Sequence, residues 1–265
     1  MASLAPKWLW GMDFQLQELL EQMPGPPEIA ARDFGLLTLA GQLSARFPNQ
    51  LVLKGGFVLR HVHGILRFSK DVDSTRAEPA KEPLDAEAVV AAIREASVRD
   101  IVRFEPSNEA KNNKYRLNLD GVMVTGPLLA PTSVEIEVSY REAVIDPAEV
   151  AIIGAPFFEE FQVLVMTVSE MSAEKLRTLA QRTRPTDLAD LALMLQREDA
   201  RDEDIGRLAV HKFKDVAAGA KTNIERNLKF MGADYDNVVP GLSPDAPTYR
   251  EAMEIVSNRI KPLIP

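Results

Sequence analysis

One segment, in which a glycine pair is followed by two alternating aspartates, constrains this chain more than any other. It reads KGGFVLRHVHGILRFSKDVD over residues 54–73, and Asp71 comes fifteen residues after Gly56. Glycines let a backbone approach phosphates closely, and the N-terminus of a following helix favours anions. Aspartates at i and i+2 of a strand share one face, where they can hold a divalent metal against those phosphates. The segment therefore predicts nucleotidyl or phosphoryl transfer.

The composition is that of a soluble globular protein. The chain has 265 residues, 46% of them hydrophobic and 26% charged, which is enough for one large core or two modest ones. The absence of cysteine excludes disulfides, thiolate zinc sites and cysteine nucleophiles. The longest uncharged run, residues 121–134, contains two prolines and is too short to span a bilayer. We expect a cytoplasmic protein with no membrane partner.

The charge distribution leaves two interpretations open. A net charge of −8 argues against a general nucleic-acid coat protein but does not exclude RNA as a substrate. One stretch, residues 205–230, is locally basic because six cations outnumber Asp215 and Glu225. These cations are Arg207, Lys212, Lys214, Lys221, Arg226 and Lys229. They form either a solvated helical face or an RNA track.

Hydrophobic periodicity predicts a mixed α/β chain that becomes helical towards its C-terminus. Helices are predicted at residues 8–22, 27–47, 57–64 and 84–99. Strands are predicted at residues 51–53, 68–73, 100–104, 114–119, 134–140 and 161–166. From Thr167 onward the pattern is helical, and Thr167 and Glu170 have the spacing of a capping box. The predicted fold class is α/β (α+β): a mixed-sheet domain over residues 1–166, with N-terminal helices, followed by a helical domain over residues 167–265.

A third carboxylate is expected from a strand next to the aspartates. The stretch SVEIEVSYRE, residues 133–142, alternates so that Glu135 and Glu137 share one face. Spacing alone does not choose between them. Crowded carboxylates repel by about 4 kcal/mol at 4 Å and an effective dielectric of 20. A divalent cation is therefore expected to compensate for such a triad.

Three blocks of the sequence resemble one protein family. They are KGG-x-x-L-R…G-x-x-RFS-x-D-x-D, EIEVSYRE and AEKLRTLAQRTRPTDLADL, and together they extend over residues 54–191. The resemblance is to the AbiEii-type nucleotidyltransferase toxins of type IV toxin–antitoxin systems, within the DNA polymerase β-like nucleotidyltransferase superfamily. It implies a mixed-sheet nucleotidyltransferase domain and a helical domain that contributes to the active-site cleft.

The resemblance also implies roles for particular residues. Those matching metal ligands are Asp71, Asp73 and Glu137. Lys175 and Asp187 match residues of the helical region that complete the catalytic set. Those matching the nucleotide-binding positions are Lys54, Gly55, Gly56 and Ser69. Phe57, Thr186 and Ala189 depart from the family pattern and leave the nucleotide preference open.

The reaction implied is the Mg²⁺-dependent transfer of a nucleoside monophosphate from an NTP to an acceptor, and Mn²⁺ could replace Mg²⁺. The resemblance implies the 3′ end of tRNA as acceptor, so that translation is inhibited, and a cognate antitoxin as partner. Control by direct antitoxin binding and control by modification of Ser69 both stay open. Two alternative functions are nucleotidylation of a small, antibiotic-like molecule and a non-catalytic nucleotide-binding module.

Overall fold

The computed structural model describes residues 21–23, 25–78, 83–97, 102–106, 111–112, 116–124, 131–155, 158–214, 216 and 219–260. The helices within these ranges are α1 (Pro27–Arg46), α2 (Gly55–His61), α3 (Ala86–Glu95), α4 (Val168–Gln181), α5 (Pro185–Leu195), α6 (Asp202–Lys212), α7 (Ala220–Leu242) and α8 (Tyr249–Ile260). The strands are β1 (Leu51–Lys54), β2 (Asp71–Arg76), β3 (Arg103–Pro106), β4 (Lys111–Asn112), β5 (Arg116–Val124), β6 (Thr132–Ser139), β7 (Glu149–Ala155) and β8 (Phe158–Val165). The predicted fold class, a mixed sheet followed by helices, is confirmed.

The chain divides into two compact units. The described residues of Met1–His63, Phe68–Ala143 and Ala148–Val165 form the first, which holds the whole sheet and is called the sheet unit. The second unit, called the helical unit, takes Gly64–Arg67, Val144–Pro147 and the described residues of Met166–Pro265. Whether residues 1–166 and 167–265 act as separate domains stays a prediction.

The sheet is mixed, with the strand order β3-β5-β6-β2-β1-β8-β7, and β4 pairs with β5. Strand β1 reads LVLK and is buried along its three apolar residues, as expected for a strand with neighbours on both sides. It runs antiparallel to β2 and parallel to β8, while β2 runs parallel to β6. These pairings bring the two strands with alternating carboxylates side by side.

One face of the sheet is apolar and is covered by α1. Val72, Ile136 and Leu119 are partners across three neighbouring strands and are all buried. Helix α1 lies close to this sheet because Gly35 has no side chain. A Cβ built there would be 2.1 Å from Met123 Sδ. Because side chains alternate along a strand, Asp71 and Asp73, on either side of Val72, lie on the opposite face.

Most of the predicted elements match the structure, and the differences concern strands. Strand β2 begins at Asp71, so the prediction of a strand from residue 68 is wrong: residues 68–70 form no ladder pairs. Strands β4 and β7 were not predicted. Strand β7 pairs with β8 at the edge of the described sheet, and its exposed positions Val150 and Ile152 are apolar, so its sequence lacks the alternation of apolar and polar residues that indicates a strand. The predicted helix over residues 8–22 lies largely outside the described residues.

Helix α4 begins with half of the predicted capping box. The Thr167 side chain accepts a hydrogen bond from the Glu170 amide at 3.1 Å, as expected. The Glu170 carboxylate instead accepts hydrogen bonds from the amides of Ile145 and Asp146, at 2.9 and 3.0 Å. This fully buried carboxylate thus ties the segment Val144–Pro147 to the helical unit.

Two of the six cations in the predicted RNA track have other roles. The Lys212 ammonium is buried, 2.7 Å from Glu170 and 3.1 Å from Glu174. Arg207 forms an ion pair with Asp146 at 2.7 Å. The continuous track over residues 207–229 is therefore wrong at Lys212, because buried carboxylates already neutralise its charge. At Arg207, whose side chain is exposed, the track stays a prediction.

The Lys212 ion pairs predict a stability effect. Replacing Lys212 by Met leaves two carboxylates without their buried cation, and we expect the free energy of unfolding to fall by about 3–5 kcal/mol. Urea denaturation followed by circular dichroism measures this change. Lys214→Met is the matched control, since Lys214 is exposed. Equal stabilities of the two variants would contradict the assignment.

Candidate active site

A row of polar residues crosses the sheet at Asp73. Its Cα partner on β1 is Lys54, and its partner on β6 is Glu137, which in turn pairs with Asn118 on β5. Directly paired residues on neighbouring strands point to the same face. Lys54, Asp73 and Glu137 thus lie side by side on the face opposite α1.

A second row, two residues along the strands, is wholly acidic. It contains Asp71 on β2, Glu135 on β6 and Asp120 on β5. Burial raises the pKa of Glu135, and Asp120, Asp71 and Glu137 raise it further by their negative charge. Both glutamates considered from the sequence therefore belong to this face, where Glu137 is the partner of Asp73 and Glu135 that of Asp71.

The glycine turn and the Asp73 carboxylate are in direct contact. Gly55 has a φ of +73°, in the left-handed region that favours glycine. A Cβ built on Gly55 would lie 2.8 Å from Asp73 Oδ2. The adjacent Gly56 is buried in the first turn of α2. The glycine pair and the strand that carries Asp73 thus form one local structure.

Ser69 precedes β2 and holds the other aspartate. Its hydroxyl donates a hydrogen bond of 2.7 Å to Asp71 Oδ1, and the residue is buried. Ser69 lies just before β2, which starts at Asp71, so it is not part of the strand that carries the aspartates. The hydrogen bond nevertheless brings Ser69 to Asp71.

Basic partners stand beside the acidic rows. The Lys54 ammonium forms an ion pair with the Glu142 carboxylate, and both side chains are largely buried. Arg116 Nη1 is 3.5 Å from Glu137 Oε2, at a more exposed position. The predicted nucleotide contact of Lys54 stays a prediction, and Glu142 and Arg116 are neighbours of the site that the sequence did not identify.

The donor set fits a divalent metal by chemistry and by register. Carboxylate oxygens are the donors that Mg²⁺ takes in proteins, and Asp71, Asp73 and Glu137 present them on one face. As placed, no group of three or more Asp, Glu or His side chains in the described residues is arranged to hold a metal ion. The metal-ligand roles of these residues stay predictions.

Arg32 on α1 is a further cation near this site that no sequence signal indicated. Its Nε is buried without a hydrogen-bond partner. Burial lowers the pKa of the guanidinium, and the charges of Asp33 and Asp71 partly offset that effect. A half-buried guanidinium near Asp71, whose Nε has no hydrogen-bond partner among the described residues, is a candidate contact for an anionic substrate.

The remaining predicted residues form a second cluster, within the helical unit. The ammonium of Lys175 on α4 lies 2.9 Å from Asp187 Oδ1 and 2.8 Å from Asp190 Oδ2, both on α5. Arg182 pairs with Asp187 at 2.6 Å, and Arg67 pairs with Asp190 at 2.8 Å. If Asp187 positions Lys175, the two side chains must be in contact, and they are. Asp190 was missed, although its i+3 spacing from Asp187 indicates a shared helix face.

The ion pairs outweigh the burial of this cluster. Burial by itself raises the pKa of Asp187, but Lys175 and Arg182 hold the pKa well below the usual range. Burial also raises the pKa of Asp190, which Lys175 and Arg67 likewise lower. Conversely, the two aspartates hold the pKa of Lys175 above its ordinary value despite burial. The cluster is therefore charged at neutral pH.

The family of the chain follows from its sequence as a whole. Residues 39–256 match the family described as "Nucleotidyl transferase AbiEii toxin, Type IV TA system". The chain belongs to this family. The resemblance stated from three sequence blocks is confirmed, and the chain is a nucleotidyltransferase of the AbiEii toxin family rather than a non-catalytic module. No curated protein matches the sequence closely enough to count as a relative.

Solved structures share the fold. The nucleotidyltransferase toxin MenT4 from Mycobacterium tuberculosis H37Rv has a TM-score of 0.70 at 20% identity, over 94% of this chain and 89% of that one. A candidate nucleotidyltransferase from H. pylori has a TM-score of 0.59 at 16% identity, over 87% and 92% of the two chains. JHP933 from Helicobacter pylori has a TM-score of 0.58 at 18% identity, over 88% and 90%.

Membership of the family implies an NTP substrate and an antitoxin partner, and a divalent metal is typical of such enzymes. None of the helices in the described residues is long and apolar enough to cross a membrane. Family membership does not specify the metal, the acceptor or the residues of the site, and these stay predictions.

The contact between Gly55 and Asp73 predicts a specific loss of activity. Gly55→Ala adds a methyl group where the carboxylate lies, and displacing a catalytic group by about 1 Å can lower the rate about 100-fold. Gly64→Ala is the matched control, because Gly64 has a φ of +68° and open space at the Cβ position. We expect each variant to lose about 1–2 kcal/mol of stability through left-handed backbone strain.

Urea denaturation and incorporation of labelled NTP into RNA distinguish the two effects. Only Gly55→Ala should lose activity beyond its loss of stability. If both variants retain equal activity, the position of Asp73 is not critical.

The Lys175 cluster predicts how stability depends on pH. Because the pKa values of Asp187 and Asp190 are lowered by folding, their contribution is complete above the unfolded value of about 3.9 and is lost as the pH falls below it. Lys175→Met removes the shared cation, so both folded-state pKa values rise towards the unfolded value and the stability lost between neutral pH and about pH 2 becomes smaller.

Urea midpoints measured from neutral pH to about pH 2 test this shift. Arg177→Met, a substitution on the same helix but outside the cluster, should leave the size of this acid-induced loss unchanged. A loss in Lys175→Met as large as in the wild type would show that the ammonium does not set the two aspartate pKa values.

Proposed function

We propose that this enzyme transfers a nucleoside monophosphate from an NTP to the 3′ end of tRNA and thereby inhibits translation in the cytoplasm. The supporting observation is the acidic face of the sheet, where Asp73 is flanked by Glu137 and contacts the glycine turn at Gly55. In the reaction, an acceptor hydroxyl oxygen forms a bond to the α-phosphorus of the NTP. The bond from that phosphorus to the β-phosphate oxygen breaks, pyrophosphate leaves, and the hydroxyl proton passes to a base.

The residues of the sheet unit have distinct proposed roles. Asp71 and Asp73 hold Mg²⁺, or Mn²⁺ in its place, and Ser69 orients Asp71 through its hydrogen bond. Glu137 orients or deprotonates the acceptor hydroxyl. A divalent cation bound there would polarise the phosphates and offset the negative charge of the leaving pyrophosphate.

The nucleotide is recognised by backbone and by cations. Gly55 and Gly56 allow the triphosphate to approach the start of α2 closely. Lys54 supplies positive charge next to Asp73, its partner across β1 and β2. Lys175 stabilises charge that develops on the phosphates, and Asp187 positions Lys175. Regulation through a cognate antitoxin, by direct binding or by modification of Ser69, completes the proposal.

A second candidate acceptor is a small polycationic molecule. The helical unit contains a pocket of about 540 Å³ whose lining includes Asp245, Glu251 and Glu254. Three carboxylates in one pocket favour a polyamine-like ligand such as an aminoglycoside. Kanamycin offered in place of RNA in the transfer assay tests this alternative.

Conservative substitutions in the two acidic rows test which carboxylates take part in the reaction. We expect Glu137→Gln to reduce transfer about 100-fold or more, because a positioned carboxylate that orients or deprotonates the nucleophile contributes that much. Asp73→Asn should reduce transfer at least as much, because it removes a carboxylate ligand of the metal. Glu135→Gln, on the same strand face, should retain most of the activity. The measurement is incorporation of each labelled NTP into total RNA with Mg²⁺, compared with a chelated reaction.

Glu105→Gln on β3 is the control for a charge change at an exposed position. A lack of incorporation into any RNA by the wild type would contradict the proposed acceptor, and full activity of Asp73→Asn would contradict the proposed site. Loss of activity in Glu135→Gln but not in Glu137→Gln would exchange the roles of the two glutamates.

A further inference from the structure

The N-terminal half of α7 exposes a basic surface around one aromatic ring. The cations Lys221, Arg226 and Lys229 are all exposed, and the Phe230 side chain next to them is 67% exposed. We call these four residues the α7 basic strip. Phe230 is the most exposed of the large hydrophobic side chains in the described part of the chain. The opposite side of α7 is buried, so the strip faces away from the core of the helical unit.

The helical geometry spreads these side chains over the exposed half of α7, with Lys221 and Phe230 at its two edges. Arg226 and Phe230 are spaced i and i+4, and Arg226 and Lys229 are spaced i and i+3, so both pairs are surface neighbours. Lys221 precedes Lys229 by eight residues, which is about 12 Å along the helix axis. The first turn of α7 contains no acidic residue, and the helix dipole adds positive potential at that end.

Negative charge lies within the strip and at its C-terminal end. Glu225 lies between Lys221 and Lys229, Asp234 is the i+4 neighbour of Phe230, and Asp236 follows in the C-terminal half of the helix. Three cations against one carboxylate leave the N-terminal half locally positive in a chain with a net charge of −8. This half therefore attracts phosphate, whereas the C-terminal half does not.

The chemistry of the strip matches single-stranded nucleic acid better than protein. The core of a protein interface is depleted of charge, whereas Phe230 has charged neighbours on both sides, Arg226 four residues before it and Asp234 four residues after it. The next exposed large apolar side chain on α7 is Val238, about 12 Å further along the helix. Sites for single-stranded nucleic acid combine cations for the backbone with aromatic rings on which bases stack.

We propose that the α7 basic strip binds single-stranded RNA of the acceptor substrate. A base stacks on the Phe230 ring, and neighbouring phosphates bind Arg226, Lys229 and Lys221. This inference rests on the proposed function, because it assigns the surface through which the enzyme holds its RNA substrate. It also revises the continuous track expected from the sequence: the buried Lys212 is excluded, and Phe230 is added.

Binding of fluorescent oligoadenylate and of total tRNA to the full chain, without NTP or Mg²⁺, tests the proposal separately from catalysis. Phe230→Ala should weaken binding by roughly 5- to 100-fold, because stacking of one base contributes about that factor. Phe230→Trp should retain the affinity, since its ring also stacks. Val238→Ala, the loss of another exposed apolar side chain on the same helix, should have no effect.

The salt dependence separates stacking from charge. Arg226→Gln and Lys229→Gln should each reduce the slope of log affinity against log salt by about 0.7 for a single-strand phosphate contact. Phe230→Ala should leave that slope unchanged. Circular dichroism and urea denaturation should show all variants to be folded, since the substituted residues are exposed.

Two results would overturn the inference. One is wild-type affinity of Phe230→Ala for both RNAs; the other is loss of antitoxin binding by this variant with RNA affinity unchanged. A wild type that binds RNA through Phe230 but transfers no nucleotide would contradict only the proposed function. Transfer to RNA that is insensitive to Phe230→Ala would contradict only the inference.

Discussion

The parallel pairing of β2 with β6 is the constraint on which the candidate active site depends. It places Asp73 beside Glu137 and Asp71 beside Glu135. Side chains alternate with a period of two, so a slip of one residue would turn the carboxylates of one strand to the opposite face. The apolar partners Val72 and Ile136 resist such a slip, because it would expose them. Burial on one face thus maintains the arrangement of charge on the other.

The two ionic clusters differ in how their charges are compensated. In the helical unit, Asp187 and Asp190 are buried, and cations satisfy both. The carboxylates of the sheet unit are more exposed, and like charges raise the pKa of Glu135. A fully compensated cluster stabilises structure, whereas an acidic face with excess negative charge favours the binding of a cation. This contrast favours a metal site on the sheet and a positioning role for the helical cluster.

Much of the fold could be predicted from local patterns. Pro27 correctly indicated the start of α1, and three consecutive apolar residues indicated the buried strand β1. The start of β2 was misplaced because alternation continues back to Phe68, while ladder pairing begins only at Asp71. The RNA track failed at Lys212 because a basic residue in the sequence carries no sign of the distant carboxylates of Glu170 and Glu174.

The sequence by itself determined the residue types of the site and their order: a glycine pair, two alternating aspartates, a strand with two glutamates and a lysine followed by an aspartate on helices. Family membership also follows from the sequence. Only the tertiary structure decided that Glu137 is the partner of Asp73, that Gly55 accommodates the Asp73 carboxylate and that Lys175 also contacts Asp190. Local periodicity specifies which face a side chain occupies, but strand register and helix packing specify its neighbours. These depend on the burial of apolar surface contributed by distant parts of the chain.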